Sequence, residues 1–238
     1  MERLGHLHRR RHRLARRERV LGPDGGGIQI HQYAPSTIDA TVDGARFALT
    51  VATAYPEDGA VTVRVEANEG GERTMSLRVP AWAEGARLTG PDGEARTVAA
   101  GAFTAVTAAC RPGDEIRLDL PVRPRWTFPD PRIDAVRGCA AVERGPVVLC
   151  AESIDLPGGA DVADLSVDAS AVPLERDGRV YVSAGVVLER GHDRPDTWPY
   201  GPPAAADEGK SAEVPLIPFH LRATRAPAPM RVWLPLAP

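Results

Sequence analysis

The chain has 238 residues, of which 26 % are charged and 43 % hydrophobic, and it carries a formal net charge of −3. This composition is that of a globular protein, and the negative charge argues against nucleic acid as its main partner. Its 23 glycines and 23 prolines favour frequent turns over long helices, and no apolar run approaches the ~18 residues that a membrane span needs.

The first 27 residues differ in composition from the rest of the chain. Eight arginines lie between Arg3 and Arg19, with only Glu2 and Glu18 to oppose them. Such a segment is predicted to be a basic, mobile tail. A basic adaptor arm for nucleic acid or an anionic surface is the alternative, although aromatic residues for base stacking are missing.

From residue 28 onward, short stretches of alternating apolar and polar residues predict β-strands. Asp43-Gly44 separates two of them and signals a hairpin, because the turn needs positive φ. The proline-rich segment PVRPRWTFPDPR (121–132) predicts a linker, with a domain boundary near residue 125. The predicted strands cover residues 28–33, 38–42, 46–51, 61–66, 75–79, 103–106, 116–120, 138–142, 147–153, 180–188, 216–223 and 230–234.

Short strands at roughly 8–12 residue spacing, joined by Gly, Pro and Asp turns, are typical of β-sandwiches and barrels. No alternation of strands with helices is visible, which argues against a parallel α/β sheet. The sequence therefore predicts an all-β chain: two consecutive antiparallel β-sandwich-like domains, 28–125 and 126–238, behind the tail 1–27. The longest predicted loop spans residues 191–210.

Two carboxylates and a thiol stand close together in the segment AAVERGPVVLCAE. Glu143 and Glu152 could form the acid/base pair of a glycosidase at a separation of ~5–10 Å, but nothing in the sequence places them in a cleft. Glu143 is instead expected to pair at the surface with its neighbour Arg144. Cys150 ends an apolar run and is expected to be a buried, inert thiol rather than a nucleophile.

The remaining cysteines, histidines and tryptophans carry weaker signals. Arg111 could lower the pKa of its neighbour Cys110, but no base is nearby. The spacing of Cys110, Cys139 and Cys150 fits neither a zinc finger nor a disulfide framework, and a cytoplasmic location is expected. The other candidates are three histidines without a ligand partner and four tryptophans that either stack on sugars or anchor modules: His31, His192, His220, Trp82, Trp126, Trp198 and Trp233.

Several segments, taken together and in order, resemble glycoside hydrolase family 127, the β-L-arabinofuranosidase family. The segment LRVPAW looks like that family's strand followed by Pro and Trp, and RGPVVLCAE is similar to its Arg-Gly-Pro segment. The resemblance covers roughly residues 28–238. The segments that carry it are HQYAPS (31–36), LRVPAW (77–82), GDEIRLDLPVR (113–123), VERGPVVLCAE (142–152), IPF (217–219) and MRVWLP (230–235).

The resemblance implies an N-terminal (α/α)6 barrel followed by β-sandwich domains. In the family, the barrel holds a zinc ion on one Glu and three Cys, one of which is the nucleophile of a retaining reaction. No position of this chain matches those residues, so the resemblance implies no catalytic, metal or cofactor residue here. Within it, Glu143 and Cys150 belong to a sandwich segment and are not the catalytic pair.

The resemblance stops at the basic tail, and one hypothesis is that the tail reflects a shifted or mis-started reading of a GC-rich gene. We expect the accessory β region of such a hydrolase, a truncated fragment without activity of its own; a stand-alone carbohydrate-binding module is the main alternative. The expected partners are a catalytic barrel or a second copy of the chain, and also carbohydrate. An exposed apolar face with Tyr33, Trp82, Trp126 and Trp198 is expected to make the contact.

Overall fold

A computed structural model describes residues 18–21, 26–186 and 210–237, and the side chains of all of these except 18–21. The described part of the chain consists of β-strands joined by turns and five short 3-10 helices, which confirms the predicted all-β class. No helix in it has the length and apolar character needed to cross a membrane. The chain divides into two compact units, Met1–Pro121 and Val122–Pro238. The predicted loop 191–210, except Lys210, lies outside the described residues, as do His192 and Trp198.

The first unit contains ten strands within its described residues, arranged in two sheets. One sheet has four strands in the order β1-β2-β6-β9, and the other has six in the order β3-β4-β5-β10-β7-β8. All neighbours are antiparallel except β2 and β6, which run parallel. The strands are β1 (Glu18–Leu21), β2 (Gly27–Ile30), β3 (Ser36–Val42), β4 (Ala45–Thr53), β5 (Ala60–Asn68), β6 (Arg73–Arg78), β7 (Arg87–Thr89), β8 (Ala95–Thr97), β9 (Phe103–Ala108) and β10 (Glu115–Asp119).

The alternation that predicts these strands is also what builds the core of the first unit. In β5, Val61, Val63 and Val65 are fully buried, whereas Arg64 and Glu66, which alternate with them, are exposed. Successive side chains of a strand point to opposite faces, so one face of each sheet supplies apolar side chains to a shared core. The core's largest members are Phe47, Ile28, Ile30, Leu49, Met75, Leu77, Leu88, Ile116 and Leu118.

The hairpin predicted at Asp43-Gly44 is confirmed. Both residues have positive φ, 49° and 76°, and they connect β3 to β4 in register. Positive φ at both central positions gives the turn the twist that matches two antiparallel strands. Asp177-Gly178 has the same geometry in the second unit, where it joins two strands of which only the second was predicted.

The second unit is built on a sheet whose main path is β11-β12-β13-β17-β16-β14. Three further short strands attach to it: β15 pairs with β16, β18 with β13 and β19 with β12. The core is again apolar and is centred on β13, β16 and β17. The strands are β11 (Pro124–Thr127), β12 (Cys139–Arg144), β13 (Val147–Glu152), β14 (Leu165–Val167), β15 (Leu174–Arg176), β16 (Arg179–Val186), β17 (Lys210–Pro218), β18 (Met230–Arg231) and β19 (Leu234–Pro235).

Three predictions for this unit are corrected by the structure. The proline-rich linker contains β11, which starts at Pro124; a proline fits there because β11 is an edge strand and Pro124 is its first residue. The predicted strand 216–223 ends at Pro218 and continues as the 3-10 helix Phe219–Leu221. The predicted strand 230–234 is two short strands that pair with different partners. The other 3-10 helices are Asp134–Val136, Ser153–Asp155, Pro157–Gly159 and Val162–Asp164.

The basic tail contains one described element. β1 lies inside the segment 1–27 and pairs antiparallel with β2, with Val20 opposite Ile28. The backbone groups of β1 therefore have hydrogen-bond partners in the sheet. The expectation of a mobile tail did not foresee this strand. The remaining arginines between Arg3 and Arg17 lie outside the described residues.

Candidate functional site

Glu143 is held in a cross-strand ion pair. It lies opposite Arg125 in the register of β11 and β12, and the Arg125 guanidinium bonds its carboxylate in a very short contact. The hydroxyl of Thr127 donates a second hydrogen bond to the same oxygen at 3.0 Å. Arg125 also donates to the carbonyl of Gly145 at 2.6 Å, which fixes the turn after β12. The carboxylate thus ties two strands and a turn together.

The expected pairing of Glu143 with Arg144 is wrong. Arg144 bonds Glu175 instead, with 2.9 Å between Nε and Oε1. The reason is the pleat: neighbouring residues of a strand point to opposite faces, so adjacent charges in sequence are directed apart.

Glu152 is the most deeply buried charged side chain of the described part of the second unit. It is 1 % exposed, at the end of β13. Its Oε1 accepts a hydrogen bond from the backbone N–H of Ala223 at 2.6 Å, and its Oε2 accepts one from Arg225 at 2.6 Å. Arg225 also bonds both carboxylate oxygens of Asp155, at 2.8 and 2.5 Å. The carboxylates of Asp155 and Glu152 raise the pKa of Arg225 further above its usual range.

The arrangement around Glu152 is a structural clamp. Ala223 has a φ of 57°, a left-handed backbone that costs a non-glycine residue about 1–2 kcal/mol. Its N–H points at the buried carboxylate, so the hydrogen bond offsets that cost and fixes the segment after Phe219–Leu221 against β13.

The structure does not bring Glu143 and Glu152 together. Val148 is the residue opposite Glu143, and Glu152 lies about 13 Å further along β13 at roughly 3.3 Å per residue. That separation exceeds the ~5–10 Å of a glycosidase acid/base pair. Both carboxylates are also committed to arginines on different elements.

The two cysteines weighed as nucleophiles are both buried. Burial, and then the charge of Glu152, raise the pKa of Cys150 to about 11, so its thiol is protonated at neutral pH. Burial, and then Asp114, raise the pKa of Cys110 as well. The expectation that Arg111 lowers that pKa is therefore wrong. Both thiols are poor nucleophiles in this setting, because only a thiolate attacks.

The tryptophans and the remaining histidine have packing or surface positions. Trp82 and Trp126 are half-buried against the cores of their units, and the indole N–H of Trp126 donates to the carbonyl of Ala171 at 2.8 Å. Trp233 is half-buried and His220 is exposed. The expectation that Tyr33 contributes to an exposed apolar face is wrong, since it is only 7 % exposed.

A cleft of about 300 Å³ opens in the first unit where three segments meet. The first segment directly follows β2, the second is the turn after β4, and the third is the end of β6 with the residues that follow it. The sequence offers no ligand partner for His31, and no local pattern connects it with residues more than twenty positions away. The lining consists of His31, Gln32, Tyr33, Tyr55, Pro56, Arg78 and Pro80.

Tyr33 organises this cleft from within the core. Its hydroxyl donates a hydrogen bond of 2.5 Å to the carbonyl of Arg78, and its ring contacts Tyr55 edge-on with centroids 6.0 Å apart. Burial raises the pKa of Tyr33 well above its usual range, so the phenol remains a neutral donor. At the mouth, His31 contacts the ring of Phe103 edge-on at 5.0 Å and bonds the Gln29 side chain at 2.9 Å.

The described residues do not fit the zinc site that the family resemblance implies for a catalytic barrel. No group of three or more His, Cys, Asp or Glu side chains converges anywhere in the described ranges. Cys110 and Cys150 are moreover both buried. No metal-dependent step is therefore assigned to this part of the chain.

Two family models match the chain one after the other. The beta-L-arabinofuranosidase GH127 middle domain matches residues 27–122, and the glycoside hydrolase family 127 C-terminal domain matches residues 124–235. The first match covers the first compact unit from residue 27 and extends one residue beyond it, and the second match falls in the other unit.

Individual relatives agree with these matches. The non-reducing end beta-L-arabinofuranosidase of Bifidobacterium longum subsp. longum is 30 % identical over 232 residues, covering 88 % of this chain and 33 % of that protein. A crystal structure of a GH127 beta-L-arabinofuranosidase from Geobacillus stearothermophilus T6 superposes with a TM-score of 0.74 at 25 % identity, covering 92 % of this chain and 35 % of that one. A structure described as a glycoside hydrolase gives a TM-score of 0.74 at 24 % identity, covering 89 % and 36 %. The chain thus spans about a third of the length of these relatives.

Proposed function

Since the chain belongs to glycoside hydrolase family 127 through its middle and C-terminal domains, we propose that its two units are accessory domains of a β-L-arabinofuranosidase-like hydrolase. In this role they support a catalytic domain and cleave no glycosidic bond themselves. The observation that carries the proposal is the consecutive match of both domain models over residues 27–122 and 124–235.

The chemistry of the described side chains supports the absence of activity. Glu143 and Glu152 are each engaged by an arginine, and they lie too far apart to act on one bond. Cys150 is buried and protonated at neutral pH. A glycosidase of this type needs a free carboxylate and an accessible nucleophile at the same bond.

A separately supplied catalytic domain is the partner that this role requires. The test is to express the catalytic part of the Bifidobacterium longum relative without its β domains and to mix it with this chain. We expect a slower thermal inactivation of the catalytic domain, measured by arabinose release after heating. An unrelated β-sandwich protein at the same concentration is the control, and equal protection by both proteins contradicts the proposal.

Stand-alone carbohydrate binding is the second candidate, and the cleft at Arg78 favours it. The two roles are compatible, because an accessory domain can hold a sugar for a catalytic neighbour. We also infer a cytoplasmic location, which the three unbridged cysteines support.

A further inference from the structure

The cleft of the first unit contains two polar groups without a partner. Within the described residues, neither the guanidinium of Arg78 nor the hydroxyl of Tyr55 makes a hydrogen bond or an ion pair. Neither group is sealed from solvent. Arg78 is the one arginine among the described residues that line this cleft, so its guanidinium is available to a ligand there.

Hydrogen bonds fix the backbone that carries both groups. Arg78 is the last residue of β6, and its carbonyl accepts the hydrogen bond from the buried Tyr33. Tyr55 lies in a turn whose start is fixed by Thr53. The hydroxyl of Thr53 donates a hydrogen bond to the Ala60 carbonyl at 2.7 Å and accepts one from the backbone N–H of Tyr55 at 3.0 Å. The turn closes with a hydrogen bond from the Glu57 N–H to the Ala54 carbonyl at 3.0 Å. The backbone of the cleft therefore needs little rearrangement when a ligand binds.

The charge in the cleft is of one sign. None of the seven described lining residues is a carboxylate, and Arg78 supplies a permanent positive charge. Burial raises the pKa of Tyr55, so its phenol stays neutral and can donate a hydrogen bond. A guanidinium with free donors binds a carboxylate through two parallel hydrogen bonds.

Beside Arg78 the cleft has an apolar rim. Phe103 lies opposite Arg78 in the pairing of β6 with β9, and 42 % of it is exposed. Together with Tyr55 and Pro56, it offers flat apolar surface next to the charge. Such a surface accommodates the C–H face of a sugar ring, while the side chain of Gln32 and the phenol of Tyr55 can bond its hydroxyls.

We propose that this cleft binds a sugar that carries a carboxylate, that is, a uronic acid residue of a glycan. Arg78 holds the carboxylate, Tyr55 and Gln32 bond ring hydroxyls, and Phe103 contacts the apolar face. The volume of about 300 Å³ is at the lower end for small-molecule sites, which fits one sugar unit rather than a long chain. We infer the carboxylate of the ligand from the guanidinium of Arg78, whereas the inference that the ligand is a sugar rests on the proposed function.

The test is a titration of the full chain with methyl β-D-glucuronide, followed by NMR, with methyl β-D-glucoside and acetate as separate arms. We expect the glucuronide to bind about ten-fold or more tightly than either other ligand, since only it combines the charge with the ring. Arg78→Gln should weaken glucuronide binding about ten-fold and leave glucoside binding unchanged. Tyr55→Phe should weaken both sugars by a smaller factor.

Arg87→Gln is the matched control, because Arg87 is an exposed arginine of the same unit that does not line the cleft. It should bind like the unaltered chain. Equal binding of glucuronide and glucoside, unchanged glucuronide binding in Arg78→Gln, or no binding at millimolar concentration overturns the proposal. The titration uses no catalytic partner and no turnover, so its failure is distinct from a failure of the accessory role.

Discussion

Arg225 bonds the carboxylate of Glu152 at 2.6 Å although the two residues are 73 positions apart in sequence. The Glu152 side chain is completely buried, whereas the Arg225 side chain is 39 % exposed. The pair therefore connects the end of a core strand to a surface segment. The Glu152 carboxylate was a catalytic candidate in the sequence, and in the structure it anchors this surface segment to the core strand.

Removing Arg225 should destabilise the second unit. Breaking a buried ion pair costs about 3–5 kcal/mol, and the partial exposure of Arg225 lowers the expected loss for Arg225→Met to about 2 kcal/mol. Urea unfolding measures it. Arg132→Met is the matched control, since Arg132 pairs with Asp130 at the surface, and it should leave the free energy of unfolding almost unchanged. Equal losses in both variants would show that the Glu152 clamp contributes nothing.

Gly70 should not tolerate a side chain while Arg73 is present. Arg73 is 5 % exposed and donates to the carbonyl of Val42 at 2.9 Å and to Asp43 at 3.0 Å. A Cβ on Gly70 would lie 1.6 Å from the Arg73 Nη2. Because that guanidinium is fixed in the core, Gly70→Ala should cost about 1–3 kcal/mol in thermal or urea unfolding.

The double variant separates this contact from a backbone effect at Gly70. In an Arg73→Ala background the obstructing atoms are gone, so adding Gly70→Ala should have almost no further effect on the free energy of unfolding. Additive losses in the two variants would mean that the contact does not restrict this turn.

Thiol reactivity should separate the three cysteines. At pH 8, N-ethylmaleimide should modify the half-buried Cys139 and leave Cys110 and Cys150 unmodified, because burial raises the pKa of both. Peptide mass spectrometry after timed labelling measures this. Modification of Cys150 as fast as Cys139 would contradict its burial.

The raised pKa of Cys150 also predicts how stability depends on pH. The thiol ionises near pH 9 in the unfolded chain and near pH 11 in the folded one, so the unfolded state releases its proton first as pH rises. The free energy of unfolding should therefore fall between pH 9 and pH 11, with a shallower fall in Cys150→Ala. Urea titrations at pH 8 and pH 10 measure the difference, and identical slopes in the two proteins would contradict the prediction.

Local sequence signals predicted much of the fold. Alternation at Val61, Val63 and Val65 reflects which face of the strand meets the core, and Asp43-Gly44 supplies the positive φ that its turn requires. These features depend only on neighbours in sequence. The strand that starts at Pro124 was not predicted. A proline fits there because β11 lies at the edge of its sheet, and that position depends on the topology of the whole unit.

The candidate sites were less predictable for the same reason. Glu143 stands next to Arg144 in sequence but bonds Arg125, since the strand pleat separates neighbours and the register of β11 with β12 brings the distant pair together. The cleft joins His31, Tyr55 and Arg78, which share no local pattern. Only the arrangement of β2, β4 and β6 brings them to one place.

The most direct test of the accessory role is the activity of the purified chain itself. It should release no arabinose from a β-L-arabinofuranoside above the blank, with or without added zinc, because Glu143 and Glu152 are engaged by arginines and the Cys150 thiol is buried and protonated. Turnover above the blank that disappears in Cys150→Ala or Glu143→Gln would contradict the account.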